Sequence, residues 1–279
     1  MMNCSSKKNS FSFRAGLMTV LMIVLCLLTA CSKESRKKKE LREQAISFME
    51  QGSYSAAAAR FDEALSYSSG DYGTVEIDIL KYRAEAEYLA EQYGNAANTY
   101  AQLRRCDDDK PEYMNLEVIC MVKAGESLTK AVELFNMSED KDPGAAGNRE
   151  TLYVLGTALS ESGDPVNVET AIDMYERALN DENGETGELY NRIGLLVFNQ
   201  GDVDSAVEWF QRGIEFTTAH PDVDDEEVME SLKYNIAVCY EHKQDYETAM
   251  ELFREYEEQY GSDEDIDHEI AFLQSRIRD

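Results

Sequence analysis

The chain has 279 residues, 27 Lys+Arg against 55 Asp+Glu, and a formal net charge of -28. Its 43% hydrophobic content excludes wholesale disorder and fibrous folds, and only four prolines and sixteen glycines favour helix over a strand-rich sandwich. So acidic a body repels phosphate backbones, which argues against nucleic acid as a partner.

The first element is an address. Residues 1–30 carry Lys7, Lys8 and Arg14 and no acid, and an uncharged apolar run extends from Ala15 to Ala30. Sixteen residues fall short of the roughly 20 that span a bilayer but suit a signal-peptide core. The run ends Leu28-Thr29-Ala30-Cys31. Small residues suit a signal peptidase pocket, and the Cys31 sulfur is a nucleophile that can be acylated. The four residues resemble the lipobox of bacterial lipoproteins. That resemblance implies cleavage before Cys31, diacylglycerol on its sulfur and often a third acyl chain on the new amino group. An uncleaved anchor, or ordinary secretory cleavage beside an incidental cysteine, are the other readings of the segment.

Residues 31–39 form a basic tether in which Lys33, Arg36, Lys37, Lys38 and Lys39 oppose only Glu34. Extended, these nine residues reach at most about 30 Å, which keeps whatever follows close to the bilayer. Two readings stand: a collar lying on anionic headgroups while the acidic body stands off, or a merely solubilising spacer.

Residues 40–279 repeat. Ala57, Ala96, Ala131, Ala171, Ala206 and Ala249 are each followed four residues later by an aromatic: Phe61, Tyr100, Phe135, Tyr175, Phe210 and Phe253. That spacing places each pair on one helical face, where alanine admits a neighbouring helix and the ring fills the next layer. The alanines lie 39, 35, 40, 35 and 43 residues apart. Upstream of the alanines lie apolar helical patterns and short turns, among them Gln51 to Tyr54, Glu91 to Tyr93, Gly163 to Pro165, Gln200 to Val203 and Gln244 to Tyr246. Glycine supplies a left-handed helix cap there, and Asp or Ser starts the next helix.

The pattern resembles the tetratricopeptide repeat, a helix-turn-helix of about 34 residues. It is clearest from Tyr190-Asn191-Arg192-Ile193-Gly194 through Gly201-Asp202 to Ala206, Trp209 and Phe210. About six repeats cover residues 40–260, and a capping helix runs from about Glu264 to Arg278. The resemblance implies an all-α superhelical solenoid of antiparallel helix pairs. The third repeat is weakest, since Met114 to Lys123 lacks the usual small residue. The longer intervals require connections at Ser66 to Gly73, at Pro165 to Val168 and at His220 to Glu227.

Catalytic and metal motifs do not emerge. There is no Walker loop, dinucleotide fingerprint, nucleophile elbow, HExxH or paired CxxC. His220, His242 and His268 lie in separate segments. Asp263, Asp265 and Asp267 begin like a calcium loop, but His268 and Gln274 stand where Gly and Glu are required, so these acids read as helix-start residues. Beyond Cys31 the mature chain keeps Cys106, Cys120 and Cys239, an odd number. Cys120 and Cys239 read as small buried hydrophobes.

Repeats of this family commonly hold an extended peptide or a helix in a groove lined by their first helices. The resemblance therefore points to Lys81, Glu85, Tyr88, Tyr153, Asn191, Leu195, Phe198, Tyr234, Val238 and Glu241 as groove residues. The two-Lys, two-Asn clamp that some members use for a terminal carboxylate is not recognisable, so basic or apolar partner segments fit the charge better. The sequence thus reads as a non-catalytic, lipid-anchored bacterial scaffold without cofactor, metal or nucleic acid, displayed outside the cytoplasmic membrane. An envelope, pilus or outer-membrane assembly factor is the second reading, and a ligand-binding or hydrolytic lipoprotein the third.

Overall fold

The computed structural model describes residues 33–68, 70, 72–181, 184–223 and 226–277; the apolar run and Cys31 lie outside them. Among the described residues there are thirteen helices and no strand. Helix α1 covers 33–50, followed by α2 (Tyr54–Leu65), α3 (Thr74–Leu89), α4 (Tyr93–Cys106), α5 (Pro111–Lys123) and α6 (Leu128–Lys141). Then come α7 (Asn148–Glu161), α8 (Pro165–Leu179), α9 (Gly187–Asn199), α10 (Val203–Ala219), α11 (Glu226–His242), α12 (Tyr246–Tyr260) and α13 (Glu264–Ile277). The chain divides into two compact units, Met1–Glu126 with Asp140–Asp142, and Ser127–Glu139 with Pro143–Asp279. The division falls within the third repeat, between α5 and most of α6. No described helix is long and apolar enough to cross a membrane.

Each unit is a stack of antiparallel helix pairs, and the alanine–aromatic spacing is what joins them. All six alanines are fully buried, and so are Phe61, Phe135, Tyr175, Phe210 and Phe253; Tyr100 is 8% exposed. They sit on the second helices α2, α4, α6, α8, α10 and α12. In the first unit Leu41 and Ala45 of α1 pack with Ala57, Ala58, Phe61 and Ala64 of α2 and Ile79 and Ala86 of α3. In the second unit the rings seat on small residues of the first helices. A Cβ on Gly194 would lie 2.4 Å from Phe210, and one on Gly156 2.7 Å from Tyr175. Glycine stands there because the buried ring takes the space of a side chain.

The turns inside repeats share one geometry. In five of them, the N–H of a left-handed residue (Gly52, Glu91, Gly125, Gly201 or Gln244) donates to the carbonyl three residues back. The next N–H reaches the carbonyl five back, closing a Schellman cap. Asp then starts several second helices, Asp202 accepting from the Ser205 N–H and Asp245 from the Thr248 N–H. The acids before α13 do the same, with Asp263 accepting from the Ile266 N–H at 2.9 Å.

One expectation needs correction. Pro165 to Val168 is not a connection but the first turn of α8, because Pro fits the first helical position and Asp164 accepts the Val166 N–H. The extra length of that repeat is absorbed in this turn and in the α6–α7 connection. Residues 33–39 are helical and continuous with α1, so this part of the proposed tether rises about 1.5 Å per residue and falls well short of its extended reach. Lys38 bonds Glu76 of α3, and both side chains are largely buried.

The first unit buries the carboxyl groups of Glu76, Glu87 and Glu117. Glu87 is 3% exposed, held by Arg83 at 2.8 Å and by the Thr99 hydroxyl at 2.6 Å. Arg104 reaches Glu117 at 2.7 Å, yet burial outweighs that bond and raises the Glu117 carboxyl above the ordinary range. Removing Arg83 or Arg104 would leave a buried carboxyl without its cation, whereas each arginine keeps a second acid, Asp62 or Asp109.

Candidate functional site

The groove candidates fall into two sets, one in each unit. All ten keep one register about the small residue of a first helix: Ala84 in α3, Gly156 in α7, Gly194 in α9 and Ala237 in α11. Lys81, Tyr153, Asn191 and Tyr234 stand three residues before it, Glu85, Leu195 and Val238 one after, and Tyr88, Phe198 and Glu241 four after. These positions occupy the helix face beside the ring-receiving small residue, so one register defines both packing and surface.

In the first unit Lys81 and Glu85 are exposed on α3. The Lys81 ammonium lies 5.7 Å from the Tyr113 ring centroid. Tyr88 is half-buried, edge-on to Tyr93 at 5.5 Å, and Lys123 sits over both rings. Lys123 is exposed, so its attraction to the two ring faces is modest.

The second unit carries the richer face. On α7, Tyr153 leans on buried Tyr175 at 6.3 Å, and the Arg192 guanidinium covers it at 5.1 Å. Asn191 of α9 is buried and accepts a hydrogen bond from the Asn235 amide of α11 at 2.8 Å. This bond ties adjacent first helices together. Leu195, one helical turn on from Asn191, is 38% exposed. Phe198 meets His242 edge-on at 5.3 Å. Tyr234 is wedged edge-on between Phe253 at 5.7 Å and Tyr256 at 5.9 Å, so it serves packing as well as surface. Val238 is partly buried against the C-terminal cluster of Ala249, Phe253 and Leu273. Glu241 faces Glu269 of α13; burial, then that neighbouring carboxyl, raises it above the ordinary glutamate range, while His268 pulls the other way.

Arg192, Asn235 and His242 escaped the sequence reading although they contribute to the same face. Arg192 and Asn235 stand two residues before Gly194 and Ala237, so applying the register one position further would have found them. His242 lies in the last turn of α11, and only the packing brings it to Phe198.

No group of three or more His, Cys, Asp or Glu residues placed to hold a metal occurs among the described residues. Cys120 and Cys239 are buried, and burial pushes their thiols up to about 12 and about 11. At neutral pH such thiols are inert packing groups.

Repeated helix pairs and a surface of rings, amides and an exposed leucine define a helical-repeat protein. Tetratricopeptide repeat models match residues 42–111 and 153–222, and a further one matches 230–262. The chain belongs to the tetratricopeptide repeat family, whose members bind protein partners. No curated protein matches the sequence. Among solved structures it is similar to the MamA protein (19% identity, TM-score 0.52, 65% of this chain and 90% of that one). The MamA RS-1 ArsTM double mutant is comparable (16%, 0.53, 67% and 98%). A tetratricopeptide repeat protein from Parabacteroides merdae matches at 14% identity and TM-score 0.45, over 86% of this chain and 99% of that one. At these identities the MamA likeness concerns the fold alone.

Proposed function

We propose that this protein is a lipid-anchored, extracytoplasmic scaffold that captures a protein segment on the first-helix face of its repeats and performs no chemistry on it. The observation that carries the reading is Leu195. It is an exposed apolar side chain in the middle of a helix face, bracketed by the Tyr153–Arg192 and Phe198–His242 pairs. An apolar anchor with aromatic and amide neighbours suits a segment presenting apolar side chains and backbone groups. With the chain at -28, a basic segment is favoured over an acidic one. The lipobox-like Leu28 to Cys31 supports anchoring through Cys31, and two or three acyl chains hold a protein durably where one does not.

The test is co-purification from crosslinked cells of the native host, beside Cys31→Ala and Leu195→Glu variants. Leu195 is preferable to Tyr153 or Tyr234 because it can be replaced without opening the core. The reading expects a reproducible partner that Leu195→Glu loses while its melting temperature is unchanged, and it expects Cys31→Ala to leave the membrane fraction. A partner retained at full yield by Leu195→Glu sinks the groove. A several-degree thermal shift with a small ligand, and none with peptides, sinks the scaffold.

A further inference from the structure

We infer that the end of the first unit formed by the start of α1, Tyr67 and the first turn of α3 is a bilayer-contacting edge that holds this unit at a fixed angle to the membrane. The inference rests on lipid attachment at Cys31. In the sequence only Ser32 stands between Cys31 and Lys33, the first described helical residue. Length alone therefore leaves no room for a long spacer.

The start of α1 is fastened to the body. Lys38 bonds the Glu76 carboxylate, which also accepts from the Gly73 N–H at 3.0 Å and the Ser68 hydroxyl at 3.3 Å. Four residues further, Arg42 donates to Asp78 at 2.6 Å and lies over the Tyr82 ring. Since Lys38 is level with Glu76, the helical residues before it project past the start of α3 at Thr74. A rigid helix end, not a swinging leash, meets whatever holds the lipid.

The chemistry of this end suits an anionic interface. Lys33, Arg36 and Lys39 are exposed; of the acids on the same end of α1, Glu34 is exposed and Glu40 takes Lys37. Beside them Tyr67 and Val75, on the α2–α3 connection and the first turn of α3, are 36% and 40% exposed. Lys39, Arg42, Glu43, Thr74, Val75 and Asp78 line a cleft of about 350 Å³ between α1 and α3. Basic groups for headgroups beside a tyrosine and an aliphatic side chain for the interfacial layer are what a bilayer surface takes up. The opposite end of the unit serves as an internal control, because α1 is 18 residues or about 27 Å long and ends at the Gln51 turn.

The experiment uses the lipidated protein in a Cys106→Ser background, reconstituted into phosphatidylcholine vesicles holding roughly one third phosphatidylglycerol and a nitroxide-headgroup lipid. A bimane is placed on Tyr67→Cys or on Gln51→Cys, and N-terminal mass spectrometry reads the lipid on Cys31. The inference expects emission at position 67 to be about twofold or more below that at 51, and the contrast to shrink in a Lys33→Gln, Arg36→Gln, Lys39→Gln protein that stays vesicle-bound. Equal emission at both positions from a lipidated, vesicle-bound protein overturns the edge and leaves the anchor standing. Absence of lipid on Cys31 overturns the anchor and the edge with it.

Discussion

At the scale of single residues, the glycines separate packing from backbone geometry. Gly194→Ala adds a methyl 2.4 Å from a ring that is fully buried and cannot step aside. It should destabilise by about 1–3 kcal/mol in chemical denaturation, against the direction of helix propensity. Gly94→Ala, with nothing within 4 Å and in the first turn of α4, should stabilise by about 0.5 kcal/mol or change nothing. The Schellman position gives a complementary test. Glu91 and Gln244 adopt φ of 58° and 63° where Gly52, Gly125 and Gly201 stand in sister turns. Relief of left-handed strain, about 1 kcal/mol, offsets the added chain entropy of glycine, so Gln244→Gly should stabilise by several tenths of a kcal/mol. Thiol labelling at pH 8 adds a third: Cys106 should react well before Cys120 and Cys239, whose buried thiols are pushed up to about 12 and about 11.

At the scale of helices, two carboxylates give opposite pH responses at the two ends of the described chain. Burial acts to raise Glu76, but Lys38 and the backbone N–H groups outweigh it and hold the carboxyl below its ordinary range. A depressed acid stabilises above its unfolded value near 4.3, and that stability is lost as pH falls through the folded value. The start of α1 should therefore lose amide protection below about pH 4. Glu241 has the reverse sign. Raised by burial and by Glu269, it binds a proton more readily folded than unfolded, so the docking of α13 weakens as pH rises past the ordinary glutamate value. Protection of α13 should be higher at pH 5 than at pH 7.5, and Glu269→Gln should flatten that difference. Equal protection of α13 at both pH values in the native protein would remove the carboxylate pair as its cause.

At the scale of the molecule, the repeat register carries both stability and surface. The proposed groove positions lie on the same helices as the small residues that receive rings, so groove substitutions divide by depth. Tyr234→Ala removes a side chain wedged against Phe253 and Tyr256 and should lower stability by about 2 kcal/mol or more in addition to weakening any partner. Leu195→Ala, 38% exposed, should stay within about 1 kcal/mol of the native chain. Parallel measurement of unfolding and partner capture for the two variants separates packing from recognition.

The fold class, the six alanine–aromatic pairs, the turns and the cap helix were legible in the sequence because they are local. An i, i+4 pair defines a buried face, and a left-handed cap or an Asp at a helix start needs only its neighbours. Which groove residues reach solvent was not legible. Asn191 and Tyr234 share a register position with exposed Lys81, and only the neighbouring helix, through Asn235 or Phe253, decides that they are buried or wedged. Nothing local in the basic run 33–39 announces its pairing. Lys38 meets Glu76, 38 residues away. Sequence by itself determined the repeating unit and its caps, since these depend on contacts within one or two turns. Tertiary structure decided which charges are paired, which rings are covered and where the first helix begins, because each depends on a partner that no local spacing announces.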